Sequence, residues 1–187
     1  MKKLTEQDFK DAARSLNCEV AVIKAVAEVE SAGNGFLSSG EPVILFEGHK
    51  FWKYTRGRFD SSENANISHY KWTRDFYDED QHKRLRKAIA LDRDSALKSA
   101  SWGKFQIMGF NYKSCGFKTL QEFVNAMYKS EAEHLHAFLN FVKSNDLDKY
   151  LRSKNWSSFA RGYNGRDFAV NKYDIKLQEA YQKHSIQ

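Results

Sequence analysis

Two glutamates occupy unusual positions in the segment AVAEVESAGNGFLSSGEPVILFEGHKFW, residues 25–52. Glu30 lies in the last turn of a mostly apolar helix predicted over 19–31, and it has no cationic partner at helical spacing. Burial and the negative end of the helix dipole both disfavour a carboxylate anion, so we expect the pKa of Glu30 to be raised. A carboxylic acid that stays protonated near neutral pH can serve as a general acid. The alternative is a glutamate that reaches solvent past Gly33 at the helix end.

Glu47 follows the run PVILF (42–46), whose β-branched and aromatic residues predict a short strand. Alternation along a strand places Val43, Leu45 and Glu47 on one face. Alone, Glu47 could be a solvated residue at the end of an edge strand. Together with Glu30 it gives an acid at a helix end facing a second carboxylate, the arrangement that cleaves glycosidic bonds. One group would protonate the leaving oxygen, and the other would position or activate water or stabilise the oxocarbenium-like centre.

The elements that must position these residues are mostly helical. The predicted helices cover residues 5–17, 19–31, 79–99, 120–128, 131–144, 146–153, 156–163 and 168–184. Three of them open with a hydroxyl residue followed three positions later by an acidic one, the capping-box spacing: Thr5 with Asp8, Thr119 with Glu122, and Ser130 with Glu133. On helix 19–31, Glu28 has Lys24 four residues earlier, which predicts an exposed ion pair. Residues 54–75 are predicted as a long loop, so the fold class is mainly α (α+β) with one small β element.

Length and composition bound the class of protein. A chain of 187 residues with 41% hydrophobic and 14% aromatic residues suits one folded domain over 1–187 and excludes a disordered protein. The basic N-terminus has no apolar stretch behind it, which argues against a secretory signal, and no run approaches the roughly 18 apolar residues of a membrane span. Cys18 and Cys115 have no framework or metal-ligand spacing and are predicted to be reduced, partly buried thiols.

A net charge of +6 and a pI near 9.2 favour attraction to polyanions, whether nucleic acid, anionic lipid or an acidic wall polymer. The segment HKFWKYTRGRF (49–59) mixes aromatic and cationic residues that could stack on bases or on sugar rings, or could form a packed loop with a solvated rim. The run HKRLRK (82–87) is most simply a solvated helix face.

Metal chemistry has only a weak signal. Glu131 with His134, and Glu133 with His136, have the Glu-x-x-His spacing of carboxylate-bridged metal sites. No further ligands are apparent on other predicted helices, so neither a metal nor another cofactor is predicted.

Three segments resemble one family. Residues 25–52 resemble the opening of the phage and prophage endolysin muramidases, the N-acetylmuramidase domain family of the lysozyme-like superfamily. SASWGKFQIMGFNY (99–112) resembles the next segment of that family and the Gly-x-x-Gln-Ile element of goose-type lysozymes and lytic transglycosylases. FARGYNG (159–165) resembles the Tyr-Asn element found late in the superfamily. The segments occur in the family's order and together span most of the chain.

The resemblance implies a lysozyme-like single domain, a helical bundle whose small β element flanks a cleft. It implies that Glu30 is the catalytic acid and Glu47 the second carboxylate. It also places four substrate-binding positions, whose hydroxyl, amide and phenol groups can bond to sugars: Ser101, Gln106, Tyr163 and Asn164. Lys104 departs from the family pattern, which usually has a small or apolar residue there. No separate wall-binding module is predicted, although many relatives carry one.

The implied activity is hydrolysis of the β-1,4 bond between N-acetylmuramic acid and N-acetylglucosamine in peptidoglycan, causing bacterial lysis. A lytic transglycosylase, which forms 1,6-anhydromuramic acid, is the alternative. That chemistry can proceed with one carboxylate, so Glu47 favours hydrolysis. A basic nucleic-acid-binding module would leave both glutamates without a role, and specific nucleic-acid binding is not predicted.

The resemblance also sets expectations for cellular context. We expect a monomer that is made in the host cytoplasm and acts in the periplasm or cell wall after release. A holin would give it access, and its basic surface would contact anionic membrane or wall polymer.

Overall fold

The computed structural model describes residues 3–30, 33–165 and 169–186. Within them the chain forms ten α-helices and one three-stranded antiparallel sheet, which confirms the mainly α prediction with a small β part. The helices are α1 (Glu6–Leu16), α2 (Val20–Glu30), α3 (Gly48–Thr55), α4 (Gln81–Leu91), α5 (Arg93–Lys98), α6 (Leu120–Lys129), α7 (Glu131–Ser144), α8 (Asp148–Arg152), α9 (Trp156–Asn164) and α10 (Tyr173–Ser185). The strands are β1 (Ile44–Phe46), β2 (Ala100–Trp102) and β3 (Ile107–Met108).

Two of the three predicted capping boxes are complete, and at the third, Ser130 with Glu133, only the N-cap hydrogen bond is formed. The Thr5 side chain accepts from the backbone N–H of Asp8, and the Asp8 carboxylate accepts from the backbone N–H of Thr5 at 2.7 Å. Thr119 and Glu122 form the same reciprocal pair at the start of α6. At α7 the Ser130 side chain accepts from the N–H of Glu133. In each case a polar side chain satisfies a backbone donor that has no partner within the helix.

The structure differs from several local predictions. The helix predicted over 79–99 breaks at Asp92, whose extended backbone ends α4 and whose side chain accepts from the N–H of Ser95 to cap α5. Helix α3 follows β1 directly, where no helix was predicted, and the β part has three strands rather than one. Strands β2 and β3 have only three and two residues, which is too short for a periodic pattern to be recognised in the sequence. Their pairing also depends on residues far away in the chain. The helix predicted over 168–184 begins only at Tyr173, after Lys172 in a left-handed conformation, and residue 168 lies outside the described residues.

Helix α2 is the centre of the core. Four of its residues are at most 1% exposed: Val22, Ile23, Ala25 and Val26. Helices α1 and α10 pack against it. This burial fixes where α2 ends and therefore where Glu30 lies. No helix in the described part of the chain is both long and apolar enough to cross a membrane.

The sheet places Glu47. Leu45 of β1 lies opposite Ser101 of β2, and Ser101 lies opposite Met108 of β3. Ile44 and Phe46 are buried, whereas Leu45 is only partly buried, so the predicted alternation is present. Glu47 continues the partly exposed face just beyond the end of β1.

Candidate active site

Glu30 is the last residue of α2 and is largely removed from water. The Asn164 side chain, at the end of α9, donates through Nδ2 to both carboxylate oxygens of Glu30, at 3.2 and 3.0 Å. Burial raises the pKa of Glu30 to about 7 and outweighs the opposing effects of the Asn164 hydrogen bond and the Lys176 charge. The negative end of the α2 dipole acts in the same direction as burial. Glu30 can therefore hold a proton near neutral pH and give it to a substrate oxygen.

The Asn164 amide can serve both protonation states of Glu30. Its Nδ2 donates to the ionised form, and an amide oxygen can accept from a protonated carboxyl group. The Asn164 Oδ1 is buried and has no hydrogen-bond partner in the described residues. Asn164 was predicted to bind substrate, and the structure instead brings it directly to the predicted acid.

Glu47 lies at the N-terminal end of a helix, whereas Glu30 lies at a C-terminal end. It is the N-cap residue of α3, where the positive end of the helix dipole favours an anion. Tyr77 donates its hydroxyl to Glu47 Oε1 at 2.9 Å, and His49 Nδ1 lies 3.3 Å from Oε2. Burial alone would raise the pKa of Glu47, but the contacts with His49 and Tyr77 and the charges of His49 and Arg84 lower it below its ordinary value. Glu47 is therefore ionised near neutral pH.

A hydrogen-bonded frame links the sheet residues. Ser101 is 6% exposed, and its hydroxyl donates to Gln106 Oε1 at 2.7 Å. Gln106 Nε2 donates to the backbone oxygens of Gly103 at 2.8 Å and Val43 at 3.3 Å. Sequence reasoning predicted Ser101 and Gln106 as substrate contacts, and the structure places them side by side with their polar groups bonded within the protein.

Tyr163 anchors α9 to the turn between β2 and β3. Its hydroxyl donates to the backbone oxygen of Phe105 at 2.9 Å, and its ring packs on those of Phe138, Phe141 and Phe159. Burial, together with the charge of Glu30, holds the pKa of the phenol well above its ordinary value. Tyr163 therefore stays neutral and keeps the end of α9, with Asn164, in place.

Lys104 ties the exit of α2 to the β2–β3 turn. Its ammonium donates to the backbone oxygen of Gly33 at 2.6 Å and lies 3.7 Å from Glu131 Oε2. Its backbone N–H donates to His134 Nδ1 at 3.0 Å. Since β2 also pairs with the strand that ends at Glu47, this turn connects the surroundings of both predicted carboxylates.

Of the residues with metal-like spacing, Glu131 and His134 are buried and hydrogen-bonded to backbone, whereas His136 is exposed and Glu133 pairs with Lys129. Because His134 Nδ1 accepts from Lys104, its Nε2 carries the proton and donates to the backbone oxygen of Met127 at 2.8 Å. Glu131 accepts from the backbone N–H groups of Gly35 at 2.8 Å and Leu4 at 3.2 Å. No group of three His, Cys, Asp or Glu residues in the described ranges could hold a metal ion.

Two further predictions can be compared with the structure. Lys24 pairs with Glu6 at 2.8 Å, so the predicted Lys24–Glu28 pair was wrong. Glu28 instead contacts Lys183 and His184 of α10, which binds α10 to α2. Both cysteines are free thiols, as predicted, and Cys115 is buried.

Sequence reasoning missed the groups that surround Glu47. Tyr77 lies 30 residues further along the chain, and nothing in its local sequence indicates the contact. Arg84 was assigned to a solvated helix face, yet it is 2% exposed and bonds to the backbone oxygens of Phe46 and Asn66. The one contact of Glu47 that the sequence could have indicated is that with His49, which lies two residues further along the chain.

A helical protein with a small sheet, one carboxyl group whose pKa is raised to about 7 and one whose pKa is lowered has the groups that a glycoside hydrolase requires. The family model of the N-acetylmuramidases matches residues 19–185. The crystal structure of the Burkholderia AP3 phage endolysin is similar, with a TM-score of 0.89 and 39% sequence identity over 99% of this chain and 73% of that chain. A search of curated proteins found no match.

The chain belongs to the N-acetylmuramidase family. The resemblance stated from three sequence segments is thereby confirmed, as are the lysozyme-like fold and the glycoside hydrolase class. The protein is a peptidoglycan hydrolase, and the comparisons do not favour the lytic transglycosylase alternative.

Proposed function

We propose that this protein is a lysis enzyme of the endolysin type in which Glu30 is the general acid and Glu47 the second catalytic carboxylate. The observation that carries the proposal is their contrast in protonation. Burial raises the pKa of Glu30 to about 7, whereas the contacts of Glu47 outweigh its burial and lower its pKa. Two carboxyl groups whose environments push their pKa values apart are suited to acid and base roles.

In this mechanism Glu30 protonates the glycosidic oxygen between N-acetylmuramic acid and N-acetylglucosamine as the bond to the sugar carbon breaks. Asn164 holds the carboxyl group and supports the carboxylate that remains after proton transfer. Glu47, already ionised, stabilises the developing oxocarbenium-like centre or activates the attacking water. Water adds to the sugar carbon, its proton leaves to a carboxylate, and a reducing end results.

The other predicted site residues receive revised roles. The polar groups of Ser101 and Gln106 bond to each other and to backbone, which supports a role in holding the sheet together rather than in direct sugar binding. The Tyr163 hydroxyl is likewise engaged by Phe105. Asn164 is the one of the four that contacts a proposed catalytic group.

The cellular role follows from the family. The similar AP3 protein is a phage endolysin, and we propose that this chain likewise degrades host peptidoglycan during lysis. We propose one catalytic domain over 1–187 that acts as a monomer, is made in the host cytoplasm and reaches the periplasm with the help of a holin. The net charge of +6 supports attraction to anionic membrane or wall polymer.

Mass spectrometry of digested peptidoglycan tests the reaction. The expected products are muropeptides with reducing-end N-acetylmuramic acid, and a Glu30→Gln preparation purified in the same way should release almost none. Products ending in 1,6-anhydromuramic acid would contradict the proposed water attack. Reducing-end N-acetylglucosamine would contradict the proposed bond.

A further inference from the structure

Tyr77 reaches Glu47 from a separate part of the chain. It lies in the segment that leads into α4, and its hydroxyl donates to Glu47 Oε1 at 2.9 Å. Trp72 Nε1 donates to the Tyr77 hydroxyl at 3.2 Å. An indole nitrogen can only donate, so the tyrosine oxygen accepts from Trp72 and directs its single proton to Glu47. Both hydrogen bonds therefore point toward Glu47, from Trp72 to Tyr77 and from Tyr77 to Glu47. In such a chain each hydrogen bond polarises and strengthens the next.

We propose that Tyr77 is a positioning residue for the reaction and that, with Trp72 behind it, it fixes the Glu47 side chain and keeps it ionised. This inference rests on the catalytic role proposed above for Glu47. It assigns a task to the segment between α3 and α4, most of which was predicted from sequence as a long loop, over 54–75, with a potential functional role.

The backbone around Tyr77 is fastened to the strand that carries Glu47. Arg84 Nη1 donates to the backbone oxygens of both Phe46 and Phe76, the residues just before Glu47 and Tyr77, at 2.9 and 3.2 Å. Gln81 accepts from the N–H of Phe46 at 3.1 Å and donates to the backbone oxygen of Tyr77 at 3.0 Å. One buried arginine and one glutamine therefore set the distance between the two segments, as expected of a supported catalytic site.

The surroundings of Glu47 show why it needs this donor. The titratable and charged groups that face it are Tyr77, His49 and Arg84. Burial and the charge of Glu47 raise the pKa of Tyr77 to about 12, so the phenol keeps its proton throughout the working range. Without the phenol proton, Glu47 Oε1 would remain half-buried with no hydrogen-bond donor among the described residues, and burial would favour the protonated acid.

The test is Tyr77→Phe, which removes one hydroxyl. The pKa of Glu47 is measured by ¹³C NMR of its side-chain carboxyl group, and the pH dependence of kcat and KM is measured on soluble peptidoglycan fragments. The pKa of Glu47 should rise by about one unit, with a matching shift in the acid limb of kcat/KM. The turnover number should fall about tenfold while KM changes little. An unchanged pKa of Glu47 and an unmoved acid limb would overturn the proposal, even if activity fell.

Matched controls lie in the same region. Tyr70→Phe removes the hydroxyl of a residue that is 70% exposed and should change neither measurement. Trp72→Phe should shift the pKa of Glu47 in the same direction as Tyr77→Phe but by less. Because Trp72 is 55% exposed, this variant tests the hydrogen-bond chain should Tyr77→Phe fold poorly. Trp52→Phe is its control, since the Trp52 indole donates to Asp60 instead.

The NMR measurement separates this inference from the proposed function. If Glu47→Gln kept wild-type turnover, the catalytic role of Glu47 would fail, and with it the claim that Tyr77 serves the reaction. If Glu47→Gln lost turnover while Tyr77→Phe left the pKa of Glu47 unchanged, only the inference about Tyr77 would fail.

Discussion

Glu30 and Glu47 carry the same side chain and are both partly or largely buried, yet they lie at opposite ends of helices. Glu30 closes α2, and Glu47 precedes the first residue of α3. The helix dipole therefore opposes the anion at Glu30 and supports it at Glu47. Helix ends thus bias two identical groups toward different protonation states.

Their neighbours widen the difference. The direct hydrogen-bond partner of Glu30 is a neutral amide, whereas Glu47 faces a phenol, a histidine and the buried guanidinium of Arg84. Burial acts on both carboxyl groups and raises both pKa values, but only at Glu47 is it outweighed. Deep burial therefore sets the pKa of Glu30, whereas hydrogen-bonding and charged partners set that of Glu47.

The largest expected effect is that of Glu30→Gln. The amide is nearly isosteric but cannot give up a proton, so kcat/KM should fall by about 10²–10⁴-fold with the fold intact. Initial rates on purified peptidoglycan, with circular dichroism of the same samples, measure this. Glu28→Gln is the control, since it alters only the exposed contacts with α10 and should keep nearly full activity. A folded Glu30→Gln protein with wild-type rates would remove Glu30 from the mechanism.

Glu47→Gln should have the next largest effect. If Glu47 acts on the developing cation or on water, kcat should fall by about 10²-fold or more while KM changes much less, because the interaction is strongest in the transition state. The acid limb of the pH profile should flatten as well. Full turnover with an unaltered acid limb would leave Glu47 a structural residue and return the single-carboxylate mechanism to consideration.

The pH profile of the wild-type enzyme should show the contrast directly. Glu30 must be protonated, and its pKa is about 7, so kcat/KM should decline by about tenfold per pH unit above that value. The acid limb should lie below the ordinary glutamate pKa because the pKa of Glu47 is lowered.

Asn164→Ala removes a hydrogen bond that lowers the pKa of Glu30, so the alkaline limb of this variant's pH profile should move to higher pH. An alkaline limb at the wild-type pH would show that Asn164 does not influence the pKa of Glu30.

The smallest effect concerns stability. At neutral pH and above, Glu30→Gln and Glu47→Gln should change the free energy of unfolding in opposite directions. The pKa of Glu30 is raised from 4.5 to about 7, so its contribution is present below 4.5 and is lost as pH rises through 7. One pKa unit corresponds to about 1.4 kcal/mol, so above neutral pH the free energy of unfolding of Glu30→Gln should exceed that of the wild type by up to about 3 kcal/mol.

The pKa of Glu47 is lowered, so its contribution is present above the ordinary glutamate pKa and is lost as pH falls through the folded value. Glu47→Gln should therefore destabilise the protein at neutral pH. Urea unfolding of both variants across the pH range measures the two changes. Changes of the same sign would show that the two environments do not differ as described.

Much of the helical frame could be predicted from sequence because its signals are local. The Thr5 and Thr119 capping boxes lie within four residues, and the apolar run of α2 reveals its central place. The break at Asp92 was missed because a capping aspartate inside a continuous helical pattern looks like a surface residue. The Glu28 pair was assigned to Lys24 because the sequence cannot show that α10 brings Lys183 closer.

The sequence by itself determined the mainly helical class, the family and the position of Glu30 at the end of a buried helix. These depend on neighbours within a few residues, where periodicity, capping and motif order are visible. The raised pKa of Glu30 was also expected from its place in the sequence, but only the tertiary structure supplied the partners of the two carboxyl groups and with them the lowered pKa of Glu47. Asn164 meets Glu30 across 134 residues of chain, and Tyr77 meets Glu47 across 30. A pKa depends on the groups within a few ångströms, and packing chooses those groups with little regard to their distance along the chain.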